Sequence, residues 1–296
     1  MKGFSFIKTR KIWYAVTLAL ALGGAAGLLL NGMNLGIDFT SGTLFWLEFP
    51  EAVDASAITE AINTPATADL NLGKGMVQKI GDREYTLRVP SLDAEGQEAV
   101  LAALRDKFGD VQNHGIDQVD PRIGSELTKV AIESVLIASL GILAYIALRF
   151  EYRFAVISVA TLVAGVFMTI GAFVVSGQEI NSAFVAGMLT LVGYCINNTI
   201  IIFDRIRENL KSARKEDLAE MTDRSIGEMM ARTVHTTITT LIGVVALYVF
   251  GSTTIRDFTF ALLIGLIAGV YLSIFVAGPL WYDWRKLSGT EKRRVK

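Results

Sequence analysis

Residues 193–209 read GYCINNTIIIFDRIREN, an apolar run that carries two adjacent amides and then becomes charged. The change from Phe203 to Asp204 and Arg205 is typical of a helix leaving a bilayer on its positive side. Asn197 and Asn198 would cost free energy if they faced lipid, so we expect them to face other protein or a water-filled path. This pattern favours a membrane protein that moves a substrate over a passive anchor.

Apolar blocks long enough to cross a bilayer recur along the chain. Of its 296 residues, 52% are hydrophobic, and the mean hydropathy is +0.44. A helix needs about 20 apolar residues to cross the hydrocarbon core. The net charge of -1 provides no global field for nucleic acid. The sequence therefore predicts an α-helical polytopic membrane protein with six transmembrane helices: Trp13–Asn31, Val130–Leu148, Phe154–Val175, Ala183–Phe203, Thr233–Phe250 and Phe258–Trp281.

These blocks divide the chain into four predicted parts. They are a cytoplasmic N-terminus with the first helix (1–31), an extracytoplasmic α/β domain (32–129), a five-helix membrane domain (130–281) with a cytoplasmic loop (206–230), and a basic cytoplasmic tail (282–296). The first part could instead be a signal peptide cleaved near Ala19-Leu20-Ala21. Because the apolar run continues to Leu30, its length favours a retained helix.

The distribution of lysine and arginine predicts the orientation of the helices. Basic residues cluster before the first helix, between the fourth and fifth, and after the sixth. The turns Gly177–Ile180 and Gly251–Thr254, on the opposite side, contain neither lysine nor arginine. Since positively charged loops stay in the cytoplasm, we expect both termini there and residues 32–129 outside.

The polar stretch after the first helix is typical of an α+β domain. Its pattern predicts, in order, a strand, a helix, a hairpin, a second helix and a last strand: Thr43–Phe49, Asp54–Ile62, Met76–Ile80 with Glu84–Val89, Asp93–Phe108 and Gln112–Val119. This βαββαβ order is the split βαβ pattern of ferredoxin-like domains. Its only histidine, His114, has no nearby cysteine or second histidine. We therefore expect a binding or docking module without a metal site.

Two predicted membrane helices carry polar stripes, because residues three or four apart share a helix face. On the fourth helix the stripe is Gly187, Leu191, Tyr194 and Asn198. On the fifth helix it is Arg232, Thr236, Thr239 and Gly243, with Thr240 nearby. Both stripes lie towards the same side of the membrane, so we expect facing helices with a hydrated seam.

A packing interpretation of the same residues stays open. Arg232 lies near a helix end and could extend its guanidinium into the headgroups. Threonine hydroxyls in membrane helices often bond to carbonyls of their own helix. Asn197 and Asn198 could join helices through hydrogen bonds worth about 0.6–2 kcal/mol. From the residues alone, a transport path and helix packing are equally compatible with the sequence.

Other segments predict how the helices pack. Residues 23–27 and 265–269 match GxxxG, which permits close helix approach. The loop at 206–230 combines charges with spaced apolar residues and predicts a pair of amphipathic helices at the membrane surface. Cys195, the only cysteine, lies in an apolar run and is expected to act as a small buried hydrophobic residue.

Catalytic motifs are absent from the sequence. No nucleophile, base and orienting group appear together, and there is no Walker motif. Asp204 is expected to form an ion pair with its neighbour Arg205. The sequence thus predicts a transport or translocase subunit without a cofactor, and not an enzyme.

Four long motifs carry a family resemblance. They are GIDFTSG at 36–42, DPRIGSEL at 120–127, the stretch 193–209, and RTVHTTITT at 232–240. They resemble GIDFTGG, VGPxIGxEL, GYSINDTVVVFDRIREN and RTxxTSxTT of the SecF branch of the SecD/SecF family, within the RND superfamily. The resemblance covers nearly the whole chain. The matched residues with an expected structural role are Gly36, Asp38, Gly42, Gly193, Asp204, Arg205, Arg207, Glu208 and Asn209.

The resemblance implies a subunit of the Sec preprotein translocase accessory complex in the bacterial inner membrane. With SecD as its obligate partner, it would use the transmembrane gradient of H⁺ or Na⁺ to promote late steps of export through the SecYEG channel. Further implied partners are the exported unfolded polypeptide and small accessory membrane subunits, and no nucleic acid. The candidates for the ion path and coupling are Asn198, Arg232, Asn197, Thr236, Thr239 and Thr240.

Two residues depart from the family pattern. Ser41 replaces the second glycine of GIDFTGG and adds local strain if that position needs a positive φ. Asn198 occupies the usual aspartate position. Because asparagine cannot titrate, coupling would depend on acidic residues of SecD, with Asn198 and Arg232 shaping the path.

Two other functions stay open. A non-coupling scaffold that stabilises SecD or SecYEG would leave export intact in Asn198→Ala and Arg232→Ala variants. An RND-type exporter of small molecules or lipids would need a wide apolar pocket and would act without a Sec partner. The motifs favour the Sec assignment over the exporter, but they do not separate coupling from scaffolding.

Overall fold

Six long apolar helices and a small antiparallel sheet form the structure. The computed structural model describes residues 4–73, 75–149, 151–212 and 216–288. Its six helices are long and apolar enough to cross a membrane, which confirms the predicted fold class. Contacts divide the chain into two compact units. A helical unit comprises the described parts of 1–34 and 133–296. The second unit comprises the described parts of 35–132 and is called the outer unit after its predicted location.

The elements follow one another in a mixed order. The described helices are α1 (Phe6–Asn31), α2 (Ile37–Thr40), α3 (Ala55–Ile62), α4 (Ala94–Phe108), α5 (Pro121–Arg149), α6 (Tyr152–Ser176), α7 (Ser182–Ser212), α8 (Leu218–Phe250), α9 (Arg256–Leu272) and α10 (Gly278–Leu287). The strands are β1 (Gly42–Glu48), β2 (Met76–Lys79), β3 (Glu84–Val89) and β4 (Gln112–Val119). Short 3₁₀ turns occupy Pro65–Leu70 and Thr253–Ile255, and a π-helical turn occupies Ser273–Ala277.

Helices α7 and α8 extend well beyond the predicted spans. They contain 31 and 33 residues, or roughly 45–50 Å at 1.5 Å per residue, against a hydrocarbon core of about 30 Å. The predicted helix pair at 206–230 is therefore present as the end of α7 and the start of α8, but its placement at the membrane surface is wrong for the buried residues; residues 213–215 lie outside the described residues. Ile206, Met221 and Ile226 are buried in the core of the helical unit. Their spacing reflects packing between helices and not contact with a bilayer surface.

A π-helical turn interrupts the sixth span. The span starts with α9, widens at Ser273–Ala277 and continues as α10 to Leu287. Pro279 lies in the first turn of α10. Because proline lacks an N–H and its ring collides with the carbonyl four residues earlier, a wider turn there accommodates it. Of the predicted basic tail, residues 289–296 lie outside the described residues.

An aromatic cluster lies where α6, α7 and α10 meet. The ring of Phe154 lies 5.6 Å from that of Trp281 and 4.7 Å from that of Phe203. All three side chains are fully buried. Aromatic pairs of this kind contribute about 0.5–1.5 kcal/mol each beyond the burial of their area. The cluster therefore fixes the three helices relative to one another.

Glycines bring helices together at both predicted GxxxG motifs. A Cβ on Gly24 of α1 would lie 2.6 Å from the carbonyl oxygen of Phe167 and 3.0 Å from the Cα of Gly171, both on α6. On α9, a Cβ on Gly265 would collide with Leu191, and one on Gly269 with the sulfur of Cys195. Close helix approach is thus confirmed.

The interpretation of Cys195 as a small buried residue is also confirmed. Its side chain is 7% exposed. Its sulfur lies 3.9 Å from the carbonyl oxygen of Gly265, across the contact between α7 and α9. The thiol thus fills the space that the absent Cβ atoms of α9 leave.

The outer unit contains a four-stranded antiparallel sheet in the order β2-β3-β1-β4. Phe45 on the central strand β1 lies opposite Leu87 of β3 and Ile116 of β4. Together with α3 and α4, this arrangement confirms the predicted βαββαβ order and the ferredoxin-like class. The short helix α2 and the 3₁₀ turn at Pro65–Leu70 are additions that the sequence pattern did not indicate.

Helix starts in the outer unit differ in how they are capped. The carboxylate of Asp93 accepts a hydrogen bond from the backbone N–H of Gly96 at 2.9 Å and caps α4, whereas the sequence pattern had predicted a capping role for Asp54. Asp54 occupies the N-cap position of α3 but its side chain makes no capping hydrogen bond. The position of α3 therefore depends more on the burial of Ile58 and Ile62 than on its cap.

Ser41 has a backbone conformation that glycine normally supplies. Its φ of 62° and ψ of 170° lie in a region that is essentially restricted to glycine. The expectation of a positive φ at this position is therefore confirmed. Its neighbour Gly42 has φ +126°, and a Cβ there would lie 2.5 Å from the carbonyl oxygen of Val89. These two residues together turn the chain from α2 into β1.

We expect Ser41→Gly to stabilise the protein. The strained serine costs about 1–3 kcal/mol, and the greater freedom of glycine in the unfolded chain offsets roughly 0.5–1 kcal/mol of the gain. Thermal unfolding of the full chain in detergent should show a higher Tm. The matched control is Ser56→Gly in α3, where a helical serine gives way to glycine and the Tm should fall. A lower Tm for Ser41→Gly would contradict the strain.

Candidate functional site

The two adjacent asparagines of α7 lie on different faces of the helix. Asn198 is 1% exposed, and its Nδ2 has no hydrogen-bond partner among the described residues. Asn197 is exposed on the surface of the chain. Successive residues are about 100° apart around a helix, which separates the two amides. Asn198 thus faces protein, whereas no described residue of this chain covers Asn197.

The polar stripe of α8 lies on the surface of the helical unit. Arg232, Thr236, Thr239 and Thr240 are all exposed. In the part of the chain that the structure describes, the Arg232 guanidinium makes no ion pair or hydrogen bond, and so none with Asn198. Within the described chain, the predicted seam therefore does not bring Arg232 and Asn198 together. The Asn198 stripe packs on neighbouring helices, and the Arg232 stripe faces outwards.

The threonines of α8 direct their hydroxyl protons into their own helix. Thr236 donates to the carbonyl of Arg232 at 2.9 Å, and Thr239 and Thr240 donate to that of Thr236 at 2.8 and 3.0 Å. This confirms the bonding pattern that the packing interpretation predicts for the hydroxyls. Because each proton is used, the exposed oxygens present only lone pairs.

Tyr194 provides the polar contact between α7 and α8. Its hydroxyl lies 3.3 Å from the Oγ1 of Thr237 and 3.4 Å from that of Thr240. The helical spacing had placed Tyr194 on the same stripe as Asn198, but it did not identify this link. The available signal was a tyrosine hydroxyl inside an apolar helix, which needs a partner when it is buried.

We call the set Asn197, Arg232, Thr236, Thr239 and Thr240 the α7–α8 polar face. The exposed side chains of α5 are different, because they are apolar along most of the helix. Apolar surface can face lipid, whereas amides and a guanidinium at membrane depth are costly there. The α7–α8 polar face is therefore suited to contact another membrane protein or water.

The charged segment after the amides joins the end of α7 to the start of α8. Arg205 lies 2.6 Å from Glu208 and 2.5 Å from Glu228. The buried Asn209 donates to Ser225 at 2.9 Å and to Glu228 at 3.0 Å. The expected ion pair between Asp204 and Arg205 is therefore wrong, since Glu208 and Glu228 take that place.

A second ion pair lies at the start of α8. The guanidinium of Arg224 is 2.6 Å from the carboxylate of Glu216 and lowers the pKa of that carboxyl below its ordinary value. Arg224 also lies 3.3 Å from Glu228. The charges of this region thus form a connected network, which is consistent with a structural role.

The remaining motif residues occupy turns and helix surfaces. Gly36 lies at the N-cap of α2, Asp38 lies in its first turn, and Gly42 begins β1. Gly193 lies on the exposed side of α7, one turn before Asn197, and nothing would obstruct a Cβ there. Arg207 is half-buried on the charged segment. The structural roles that the resemblance implies for these residues remain predictions.

An apolar groove lies between α1, α6 and α9. It has a volume of about 660 Å³, and its lining includes Leu20, Gly23, Ala172, Ile264 and Tyr271. This is the feature that an exporter of small apolar molecules would need. In the described ranges, no three His, Cys, Asp or Glu side chains are grouped so that they could hold a metal ion.

Two family models match the chain in the regions that contain these features. The model of the protein export membrane protein SecD/SecF, C-terminal, matches residues 99–287, and the SecD/SecF GG motif matches residues 26–49. The chain belongs to the SecD/SecF family. The first match includes the α7–α8 polar face and the charged segment, and the second includes the strained turn at Ser41.

Individual relatives show that the chain resembles SecF over nearly its whole length. It is 36% identical to the protein translocase subunit SecF of Alicyclobacillus acidocaldarius, over 96% of this chain and 94% of that one. It is 38% identical to SecF of Desulfurispirillum indicum, over 95% and 91% of the two chains. The relation to the SecF branch is thus confirmed.

Longer SecDF proteins contain this fold as one part. The chain is 33% identical to SecDF of Bacillus subtilis over 95% of its own length and 38% of that protein. The crystal structure of SecDF, a translocon-associated membrane protein from Thermus thermophilus, superimposes with a TM-score of 0.86 at 32% identity. That match covers 96% of this chain and 39% of the other.

Proposed function

We propose that this chain is a SecF-like subunit that pairs with SecD and uses the transmembrane ion gradient to promote late steps of polypeptide export through SecYEG. Its membership of a family of protein translocase subunits supports the general assignment. In the two SecDF proteins, the matching segment is 38–39% of a longer chain. A separate SecD chain would supply the remainder.

The α7–α8 polar face is the observation that carries the coupling part of the proposal. A guanidinium that faces lipid costs up to about 2.5–3.5 kcal/mol at the centre of a membrane helix and less towards its end, and Arg232 directly precedes the predicted span Thr233–Phe250. Arg232 and Asn197 are exposed among the residues that the structure describes. A SecD half that packs against this face would remove the cost, and water between the halves would form an ion path.

Each residue of the face has a definite capacity in such a path. The Arg232 guanidinium provides a fixed positive charge, and the threonine lone pairs accept hydrogen bonds from water. Asn198, which is buried on α7 and is not part of this face, has an unpaired Nδ2 but no titratable group. The groups that bind and release H⁺, or the ligands of Na⁺, would therefore come from SecD. One charge crossing 100 mV releases about 2.3 kcal/mol, so a few ions per cycle are sufficient to move helices.

The orientation follows from the basic flanks of the helices. Both termini would be cytoplasmic in the bacterial inner membrane, and the outer unit would lie on the side where the exported polypeptide emerges. A ferredoxin-like unit in this position would serve as a docking module for that polypeptide or for SecD. Small accessory membrane subunits would complete the complex.

The test uses inside-out vesicles that lack the endogenous subunit and contain SecD and SecYEG. Completion of preprotein export is followed with and without an ion gradient, before and after this chain is supplied. The proposal predicts that the chain raises only the gradient-dependent part of the rate. A scaffold would raise both parts in proportion, and an exporter acting through the groove between α1, α6 and α9 would not affect preproteins.

The same vesicles test the position of Asn198. Asn198→Asp adds a titratable group beside the proposed path, and we expect a larger gradient-dependent part of export than for the parent chain. Asn198→Leu removes the amide at similar volume and is the control for packing. If both variants behave like the parent chain, Asn198 lies outside the path.

A further inference from the structure

A small cavity lined by hydroxyl groups lies between α6, α7 and α9, away from the α7–α8 polar face. Its polar lining comes from Ser158 and Thr161 of α6, Thr199 of α7 and Ser273 at the start of the π-helical turn. These four side chains are between 0 and 4% exposed. The volume open to the centre of a water-sized sphere is about 10 Å³, and one enclosed water needs roughly 10–15 Å³.

Ser158 is the unexplained group in this cavity. Its hydroxyl is 2% exposed and has no hydrogen-bond partner among the residues that the structure describes. Burying a hydroxyl without a partner costs about 1–3 kcal/mol. A serine in a membrane helix can normally donate to a carbonyl of its own helix, so an unpaired hydroxyl in the lining of a cavity points to a ligand there.

The other three hydroxyls have already used their protons. Thr161 donates to the carbonyls of Ile157 and Ser158, both at 3.0 Å. Thr199 donates to the carbonyl of Cys195 at 3.0 Å, so the 2.9 Å contact between Thr199 and Ser273 takes its proton from Ser273. Thr161 and Ser273 therefore present lone pairs to the cavity, whereas Ser158 retains one donor.

We propose that this cavity binds one water molecule that links the three helices. The water would donate to Thr161 and Ser273 and accept from Ser158, giving the three hydrogen bonds that are typical of a buried water. It would join α6 to α9 at the point where the wider π-helical turn interrupts the α-helical ladder. The proposal does not depend on SecD or on export.

Two isosteric variants on α6 test the site. Thr161 and Thr169 are both buried, and each donates to a carbonyl one turn earlier on the same helix. Only Thr161 lines the cavity. In thermal unfolding of the full chain in detergent, Thr161→Val should lower the Tm by roughly 2–4 °C more than Thr169→Val. Equal shifts would overturn the proposal.

Ser158→Ala provides a test by the sign of the effect. If water is bound, the variant loses a hydrogen bond and the Tm falls. If the cavity is dry, the variant removes an unpaired hydroxyl and the Tm stays or rises, which would overturn the proposal. If the fall in Tm caused by Thr161→Val becomes larger as the NaCl concentration rises, but not as the KCl concentration rises, the cavity binds a sodium ion and the proposal is overturned. A structure that resolves ordered waters should show one density peak within hydrogen-bond distance of Ser158.

Discussion

Replacing Arg232 by alanine is expected to remove most of the gradient-dependent part of preprotein export while the complex with SecD still assembles. Arg232 is exposed on the α7–α8 polar face and has no ion-pair partner within the described chain. Its charge is therefore available to an ion path or to a partner helix. In the vesicle assay we expect the gradient-dependent rate to fall about tenfold, a change that corresponds to ~1.4 kcal/mol.

Three further variants separate a coupling role from headgroup contact and from folding. Arg232→Lys retains the charge and should preserve much of the gradient dependence, whereas Arg232→Gln retains only a hydrogen-bond donor and should resemble alanine. Arg224→Ala, on the same helix, removes an arginine that is already paired with Glu216. It should leave gradient dependence unchanged. SecD co-purification controls for assembly in every case.

One result of the export assay with Arg232→Ala would contradict a coupling role. If Arg232→Ala exports as well as the parent chain under a gradient, and the complex assembles, the α7–α8 polar face is a packing surface and the subunit is a scaffold. A loss of export both with and without the gradient would indicate failed assembly, which co-purification would reveal. Only a selective loss of the gradient-dependent part supports the proposed path.

The six spans and the outer unit could be predicted from the sequence because both depend on simple periodicities. A bilayer requires a minimum apolar length, and the apolar blocks meet it. In the outer unit, helix caps and turn residues indicate the ends of the elements, and β4 spans Gln112–Val119 as predicted. The βαββαβ order then leaves few ways of arranging four strands.

The surroundings of the polar stripes could not be predicted in the same way. Helical spacing shows that Arg232 and Thr236 share a face, but it does not show which neighbour covers that face. The Asn198 stripe packs against other helices of this chain, whereas the Arg232 stripe does not. Likewise, the apolar residues Ile206 and Met221 are spaced as in a surface helix, yet they are buried against other helices.

The ion pair predicted between Asp204 and Arg205 is wrong because the partners of Arg205 depend on contacts between distant parts of the chain. Asp204 is adjacent to Arg205 in sequence, but adjacent residues of a helix point in different directions. Glu208 lies one turn later, and Glu228 is brought close by the packing of α8 against α7. Helical spacing points to the first partner, whereas the second needs the fold. The same reasoning applies to Tyr194, whose hydroxyl partners are on the next helix.

Gly24→Ala is expected to destabilise the helical unit strongly, although alanine is the better helix former. A Cβ at this position would meet the backbone of Phe167 and Gly171, which cannot rotate away as a side chain could. Helix α1 would have to separate from α6. Overpacking of this kind typically costs about 1–3 kcal/mol, and the contact with backbone atoms places this variant at the upper end.

The adjacent Gly23 provides the matched control. A Cβ on Gly23 would meet nothing within 4 Å, so Gly23→Ala should gain the ~1 kcal/mol of helix propensity that separates the two residues. Thermal unfolding of the full chain in detergent should therefore show shifts of opposite sign for two substitutions one residue apart. Equal shifts would mean that α1 and α6 are not in backbone contact. Both variants add one methyl group to the same helix. The opposite signs of their Tm shifts would therefore report the distance between α1 and α6 and not the composition of α1.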